Sequence, residues 1–204
     1  MINYPNGKTY TQKNKVSKSQ HKSQQEISFS CANRGMNLEE DINLSNDYYI
    51  NNNECLIYKR PTPINVVKVD YSRGAIITQA YFEEKSTTDY NGIYKGRYVD
   101  FEAKNTKSKT SFPLNNISDH QVEHLKKVIL HGGIAFFIIQ FELLKEVFLL
   151  DANDVINFIE TQKRKSIPYD FFLTNGIEIL QSYQPRLKYL EAVNKKYFCS
   201  DNTL

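Results

Sequence analysis

Cysteine is scarce in this chain, and the few present form no pattern. Cys31, Cys55 and Cys199 are scattered and odd in number. That excludes a disulfide framework and supplies no zinc-ribbon spacing. Long apolar runs are missing as well. The longest, Ile134 to Ile139, is far short of the ~20 residues that span a bilayer. No apolar h-region is visible at the N-terminus, so no signal peptide is expected. These absences point to a reducing, cytoplasmic setting with no membrane partner. A strong charge of one sign is lacking too: the formal net charge is +3, too small to argue for nucleic acid by itself. There is no internal repeat. At 204 residues, one domain with a sizeable core is expected.

Charge distribution says more than the sum. Residues 1–30 carry Lys8, Lys13, Lys15, Lys18, Lys22 and His21 against a single acid, Glu26, with Asn, Gln and Ser filling most of the rest. Such a segment cannot bury a core. It reads as a disordered basic arm that lies on phosphates, with a merely solubilising tail as the alternative. The folded domain is then expected over 31–204.

The most informative stretch runs from Ser86 to Leu114. Arg97 to Lys104 reads as a strand, and side chains on a strand alternate between faces. Tyr98, Asp100, Glu102 and Lys104 therefore share one face, and Val99, Phe101 and Ala103 share the buried one. Asp89 lies upstream, beyond Gly92 and Gly96, where the chain turns back and brings it beside Glu102 and Lys104. Two carboxylates and a lysine suit Mg²⁺ chemistry. The ion takes oxygen ligands, usually one or two carboxylates with waters and phosphate oxygens. It acidifies water and steadies charge on phosphate, and a neighbouring lysine stabilises extra negative charge. On this reading Asp89 and Glu102 hold the metal and Lys104 is the transition-state stabiliser. Lys107 and Lys109 follow as DNA contacts, with Phe112 either wedging against bases or packing. A solvated strand face with a surface ion pair is the plain alternative.

The stretch resembles the signature of the RecU family of Holliday junction resolvases, within the PD-(D/E)xK nuclease superfamily. The similarity takes in Ala80-Tyr81-Phe82, Ser86 to Tyr90, Gly92, Tyr94 to Tyr98, Asp100 to Lys104, Lys109 to Leu114 and His120-Gln121. It extends to Tyr4 to Thr9, Asn33 to Met36 and Pro61-Thr62-Pro63, and thins after about Asp151. Thr88, not proline, precedes Asp89, and that proline carries no chemistry. The resemblance implies a restriction-endonuclease-like α/β fold, a mixed sheet flanked by helices, with a protruding β-hairpin stalk. It implies Thr87 and Gln121 as further metal ligands beside Asp89 and Glu102. An acid of the first helix, Glu39 or Glu40, is a candidate near the metal. A homodimer acting on four-way junction DNA is implied, with the recombinase RecA and the branch-migration helicase RuvB as partners.

The remaining elements follow from pattern. Asn37 to Ile50 reads as a helix with Leu38, Ile42 and Tyr49 inward. Cys55 to Lys59 reads as a strand. Ile64 to Phe82, with Gly74 at its turn, reads as a hairpin decorated by Arg60, Lys68 and Arg73. Its arms of about nine residues would reach ~30 Å. Ser118 to Leu130 is a helix capped by Ser118, with Val122, Leu125 and Ile129 inward. Ile134 to Phe141 and Val147 to Leu150 are buried central strands. Asp151 to Thr161 is a helix with Val155, Ile156 and Ile159 inward, followed by basic Lys163 to Lys165. A last helix is expected from Arg186 to Tyr197, opened by Pro185.

One rival motif stands out. His120-Gln-Val-Glu-His124 matches H-x-x-E-H, two histidines on one helix face as in an inverted zinc protease. Glu178 or Glu191 would be the third ligand. That reading leaves Asp89, Glu102 and Lys104 without a role. A non-catalytic junction-binding module would explain the arm and hairpin, but not two acids converging on a lysine.

Overall fold

Two parallel strands lie at the middle of a sheet whose other pairings are antiparallel. The computed structural model describes residues 37–82 and 87–199. The expected basic arm and residues 83–86 lie outside them. The sheet runs in the order β1 (Leu56–Lys59), β4 (Tyr90–Tyr94), β5 (Arg97–Thr106), β7 (Ile134–Phe141), β8 (Glu146–Asp151) and β10 (Ile177–Glu178). β5 pairs with β7 in parallel, from Val99 opposite Ile134 to Thr106 opposite Phe141. A parallel pair needs a long crossover. Here it carries α2 (Asp119–Leu130) over one face of the sheet.

Helices cover both faces, as a mixed α/β architecture requires. α1 (Leu38–Asn51) and α5 (Tyr189–Tyr197) pack with Val99, Phe101, Ile134, Phe136 and Ile138 on one side. α2 and α3 (Ala152–Thr161) pack with Ala135, Phe137, Ile139 and Phe141 on the other. This accounts for the unbroken apolar run in β7: with both faces covered, no position needs to be polar. The expectation of a mixed sheet flanked by helices is met.

Three stacked rings pin the register that matters for function. Tyr90 of β4 lies opposite Phe101 of β5, which lies opposite Phe136 of β7. Their centroids are 4.9 and 4.7 Å apart. A one-residue slip would send every side chain to the wrong face and dismantle the stack. Gly92 allows β1 to approach β4 this closely, because a Cβ there would sit 1.9 Å from the Leu56 carbonyl oxygen.

β2 (Ile64–Asp70) and β3 (Ile76–Phe82) form a separate two-stranded sheet. Every residue in the pair is exposed except half-buried Val69. Gly74 turns the chain at φ 110°, and the Asp70 carboxylate accepts from the Ser72 N–H at 2.9 Å. The register shifts around Val67, a bulge that adds twist and blunts the edge. The arms are seven residues each, about 23 Å, shorter than the expected nine because Tyr71 to Ala75 is spent on the turn.

Several expectations are corrected at the C-terminal end. The last helix begins at Tyr189, not Arg186. Arg186 Nε donates to Asp41 Oδ1 at 2.9 Å, and the Leu187 N–H donates to Ser45 Oγ at 2.8 Å, so this stretch is tied to α1 instead of to a helix of its own. In α3, Phe158 is buried while Ile159 sits at the rim. In α2, Val128 joins Leu125 in the core, with Val122 and Ile129 only partly buried. β6 (Ser111–Pro113), β9 (Ser166–Pro168) and α4 (Tyr169–Asn175) are short elements without a periodic signal. β6 and β9 pair with each other.

Candidate active site

β5 presents its polar face toward α2, and the two acids at the middle of that face are out of solvent. Asp100 is 0% exposed and Glu102 1%. Buried carboxylates are tolerated only where donors satisfy them, and Glu102 has three. Lys104 Nζ lies 2.6 Å from Oε1, the Gln121 side-chain amide also donates to Oε1, and the Asp89 N–H donates to Oε2 at 3.1 Å. Asp89 Oδ2 in turn accepts from the Ala103 N–H at 3.0 Å. Asp89 and Glu102 are thus locked together across β4 and β5, with Lys104 beside them.

Gln121 reaches Glu102 because of how α2 begins. Ser118 occupies the N-cap position, and its N–H donates to Gln121 Oε1 at 3.1 Å. This capping-box arrangement turns the amide nitrogen toward Glu102. Burial, followed by repulsion from the Asp89 carboxylate, pushes the Glu102 carboxyl up to about 7, against the opposing pull of Lys104. A divalent cation between the two acids would relieve that repulsion. The donor set is all oxygen, which fits Mg²⁺ better than zinc.

The other expected site residues divide. Lys107 and Lys109 are exposed on the loop leaving β5, and Lys68 and Arg73 are exposed on the hairpin. Thr87 is half-buried, and its hydroxyl accepts from Arg60 Nη1 at 2.6 Å. Arg60 itself is corrected. It precedes the hairpin and its guanidinium turns inward, Nη2 lying 2.6 Å from Asp100 Oδ2 and 2.8 Å from the Tyr98 hydroxyl. For Phe112 the packing alternative holds in place of the DNA contact: it is 0% exposed and packs against Phe172, so it belongs to the core. Glu39 pairs with Lys59 on β1, and Glu40 is exposed.

The zinc-protease set does not assemble. His124 Nε2 lies 2.9 Å from Asp100 Oδ2, Glu191 pairs with Lys188 at 3.2 Å, and Glu178 lies on β10 at the sheet edge. Among the described residues, no group of three or more His, Cys, Asp or Glu side chains is arranged around a common metal position.

The model of the family described as Recombination protein U matches residues 33–195. The chain belongs to the RecU family. A protein named Holliday junction resolvase RecU from Geobacillus sp. (strain WCH70) is 48% identical over 203 residues, covering 97% of this chain and 98% of the relative. One of the same name from Bacillus cereus (strain AH820) is 47% identical over 202 residues, with the same coverage. Among solved structures, Archaeoglobus fulgidus Hjc, a Holliday junction resolvase, aligns with 65% of this chain and 90% of its own at 12% identity and a TM-score of 0.39. Membership in the RecU family agrees with the resemblance carried by Ser86 to Leu114.

Sequence reasoning missed one cluster: Arg60, Thr88, Tyr98 and His124 close around Asp100. Strand parity placed Asp100 on the face of Glu102. Nothing in the sequence distinguished a metal ligand from a carboxylate already consumed by protein donors.

Proposed function

We propose that the chain is a Mg²⁺-dependent endonuclease that resolves four-way DNA junctions by paired symmetric nicks. The observation that carries this reading is the locked pair Asp89 and Glu102 with Lys104 beside it, in a family whose relatives bear the resolvase name. Asp89 and Glu102 hold the metal, with Thr87 and Gln121 supplying neutral oxygens or orienting Glu102. When bound, Mg²⁺ supplies Lewis acidity toward the scissile phosphate and acidifies water. Lys104 stabilises the negative charge that builds on the phosphate in the transition state. Lys107 and Lys109 hold the backbone downstream of the site, and Lys68 and Arg73 contact the junction from the hairpin.

A homodimer belongs to this reading, because a four-way junction needs two strands cut and a two-fold assembly presents two sites. The basic segment 1–30 serves as a phosphate-binding arm. RecA, RuvB and a cytoplasmic setting follow from the family resemblance. No described helix is long and apolar enough to cross a membrane.

A synthetic four-way junction and a matched duplex, each with Mg²⁺ or EDTA, test the reading. Symmetric nicks in the junction are expected with Mg²⁺ only. Equal cleavage of the duplex, or cleavage in EDTA, would sink it. Junction binding without cleavage would favour the non-catalytic module.

A further inference from the structure

Among the described residues, Asp100 is the most thoroughly enclosed charge, at 0% exposure, and it takes no part in the metal set. Oδ2 accepts from Arg60 Nη2 at 2.6 Å, from the Tyr98 hydroxyl at 2.7 Å, and lies 2.9 Å from His124 Nε2. Oδ1 accepts from the Thr88 hydroxyl. With both oxygens occupied, Asp100 is not available as a ligand even though it shares the face of Glu102.

What these bonds hold is the segment that delivers Asp89. Thr87 to Asp89 has no regular secondary structure, yet each of its residues is tied to the Arg60–Asp100 pair. The Thr87 hydroxyl accepts from Arg60 Nη1 at 2.6 Å. Thr88 donates to Asp100. The Asp89 carbonyl accepts from the Arg60 N–H at 2.7 Å. A planar guanidinium donating from two nitrogens fixes direction as well as distance, and Asp100 fixes the guanidinium.

We infer that Asp100 is a positioning residue for the metal-site segment Thr87–Asp89, acting through Arg60 and Thr88. This rests on the proposed metal-dependent reading. Preorganised ligands bind more tightly because less ordering is left to the moment of binding, and partners behind metal ligands typically set affinity by tenfold or more. Loss of Asp100 should therefore weaken the metal site while leaving the chemical step available at saturating metal.

Mn²⁺ binding to the full-length protein, followed by calorimetry, gives a readout independent of cleavage, with Glu102→Gln as the blank. Asp100→Asn is expected to weaken Mn²⁺ about tenfold, and Thr88→Val, which removes the hydroxyl's bond to Asp100, by about threefold. Single-turnover junction cleavage should need more Mg²⁺ by the same factors, with the plateau rate kept within about threefold. Junction affinity in EDTA should stay within about twofold. A folded Asp100→Asn protein with parental Mn²⁺ affinity would overturn the inference. If Asp100→Asn does not fold, Thr88→Val decides by the same measure. Arg60→Ala that keeps parental Mn²⁺ affinity but flattens the salt slope of junction binding by about 0.9 would make Arg60 a phosphate contact, and would also overturn it. A parent that binds Mn²⁺ through Glu102 but cuts no junction defeats the proposed function alone, and the variant Mn²⁺ affinities still decide the role of Asp100. A parent that binds no Mn²⁺ overturns both.

Discussion

The hairpin β2–β3 leaves Ile64, Val66, Val67, Ile76 and Ile77 in solvent, while β5 takes Asp100 and Glu102 out of it. By side-chain type alone the assignments would be reversed. The difference lies in the neighbours. β5 is paired on both edges and covered on both faces along its middle, so Val99 to Ala103 are all buried, and its acids persist only because lysine, arginine, amide and backbone donors converge on them. The hairpin pairs only with itself, so its branched residues serve strand formation without a core to enter. Burial reports the position of a strand in the architecture. It becomes a functional signal where it opposes the chemistry of the side chain.

The contrast fails first if half-buried Asp89 and buried Glu102 are ordinary acids. Asp89→Asn and Glu102→Gln should abolish junction cleavage while leaving junction binding within a few-fold, because on the proposed reading each removes a metal ligand and no phosphate contact. Single-turnover assays at millimolar Mg²⁺ check this, and full-speed cleavage by either variant would remove that residue from the site. Lys104→Ala should slow the chemical step by roughly 10²-fold. A rate equal to the parent would return Lys104 to an ordinary ion pair.

Glu102 also predicts a pH dependence. With its carboxyl pushed up to about 7, protons compete with metal below that pH. Apparent metal affinity should fall about tenfold per pH unit below 7 and flatten above it. The sign for stability is opposite. A raised carboxyl favours the neutral form in the fold, so metal-free stability is fully present below the ordinary carboxyl range and is lost as pH rises through 7. Glu102→Gln should therefore unfold at a higher temperature than the parent in EDTA at pH 8, by roughly 2–3 kcal/mol of stability, with little difference near pH 4. A destabilised variant at pH 8 would mean that the donors outweigh the burial.

The hairpin should respond only where DNA is present. Replacing Lys68 and Arg73 by alanine should lower the junction-to-duplex affinity ratio a few-fold at fixed salt. Proportional losses on both substrates would make the two residues general phosphate contacts. The smallest effect sharpens the contrast most. Ile77→Ala in the exposed hairpin should change stability by under ~1 kcal/mol, whereas Ile138→Ala in β7 should cost about 2–5 kcal/mol. Comparable losses in denaturant titrations would show that the hairpin is part of the core.

Much of this was legible from residues. Alternation across Arg97 to Lys104 placed Glu102 and Lys104 side by side, and Gly74 marked the hairpin turn. The Ser118 cap marked the start of α2, while the placement of Gln121 near the site came from the family resemblance. What could not be read was how the polar face of β5 is satisfied. The donors to Asp100 come from residues 60, 88, 98 and 124, and their convergence is a property of the finished fold. The same limit explains Arg60: a basic residue beside a hairpin looks like a DNA contact until a buried acid is found facing it. β9 and α4 escaped because they are too short to show a period, and Arg186 escaped because its ion pair with Asp41 overrides a plausible helix start.

The parallel pairing of β5 with β7 also has a bearing on when the enzyme becomes competent. Its strands are separated by residues 107–133 of crossover, and closing a loop of that size delays contact formation relative to local hairpins. Asp89, just before β4, and Glu102 are joined by the local β4–β5 hairpin, whose closure should come early. Gln121 and His124 arrive only when the crossover has closed and α2 has docked. A partly folded chain is therefore expected to bring the two acids together before α2 supplies Gln121 and His124, so on the proposed reading competence to cut should appear only with completion of the sheet.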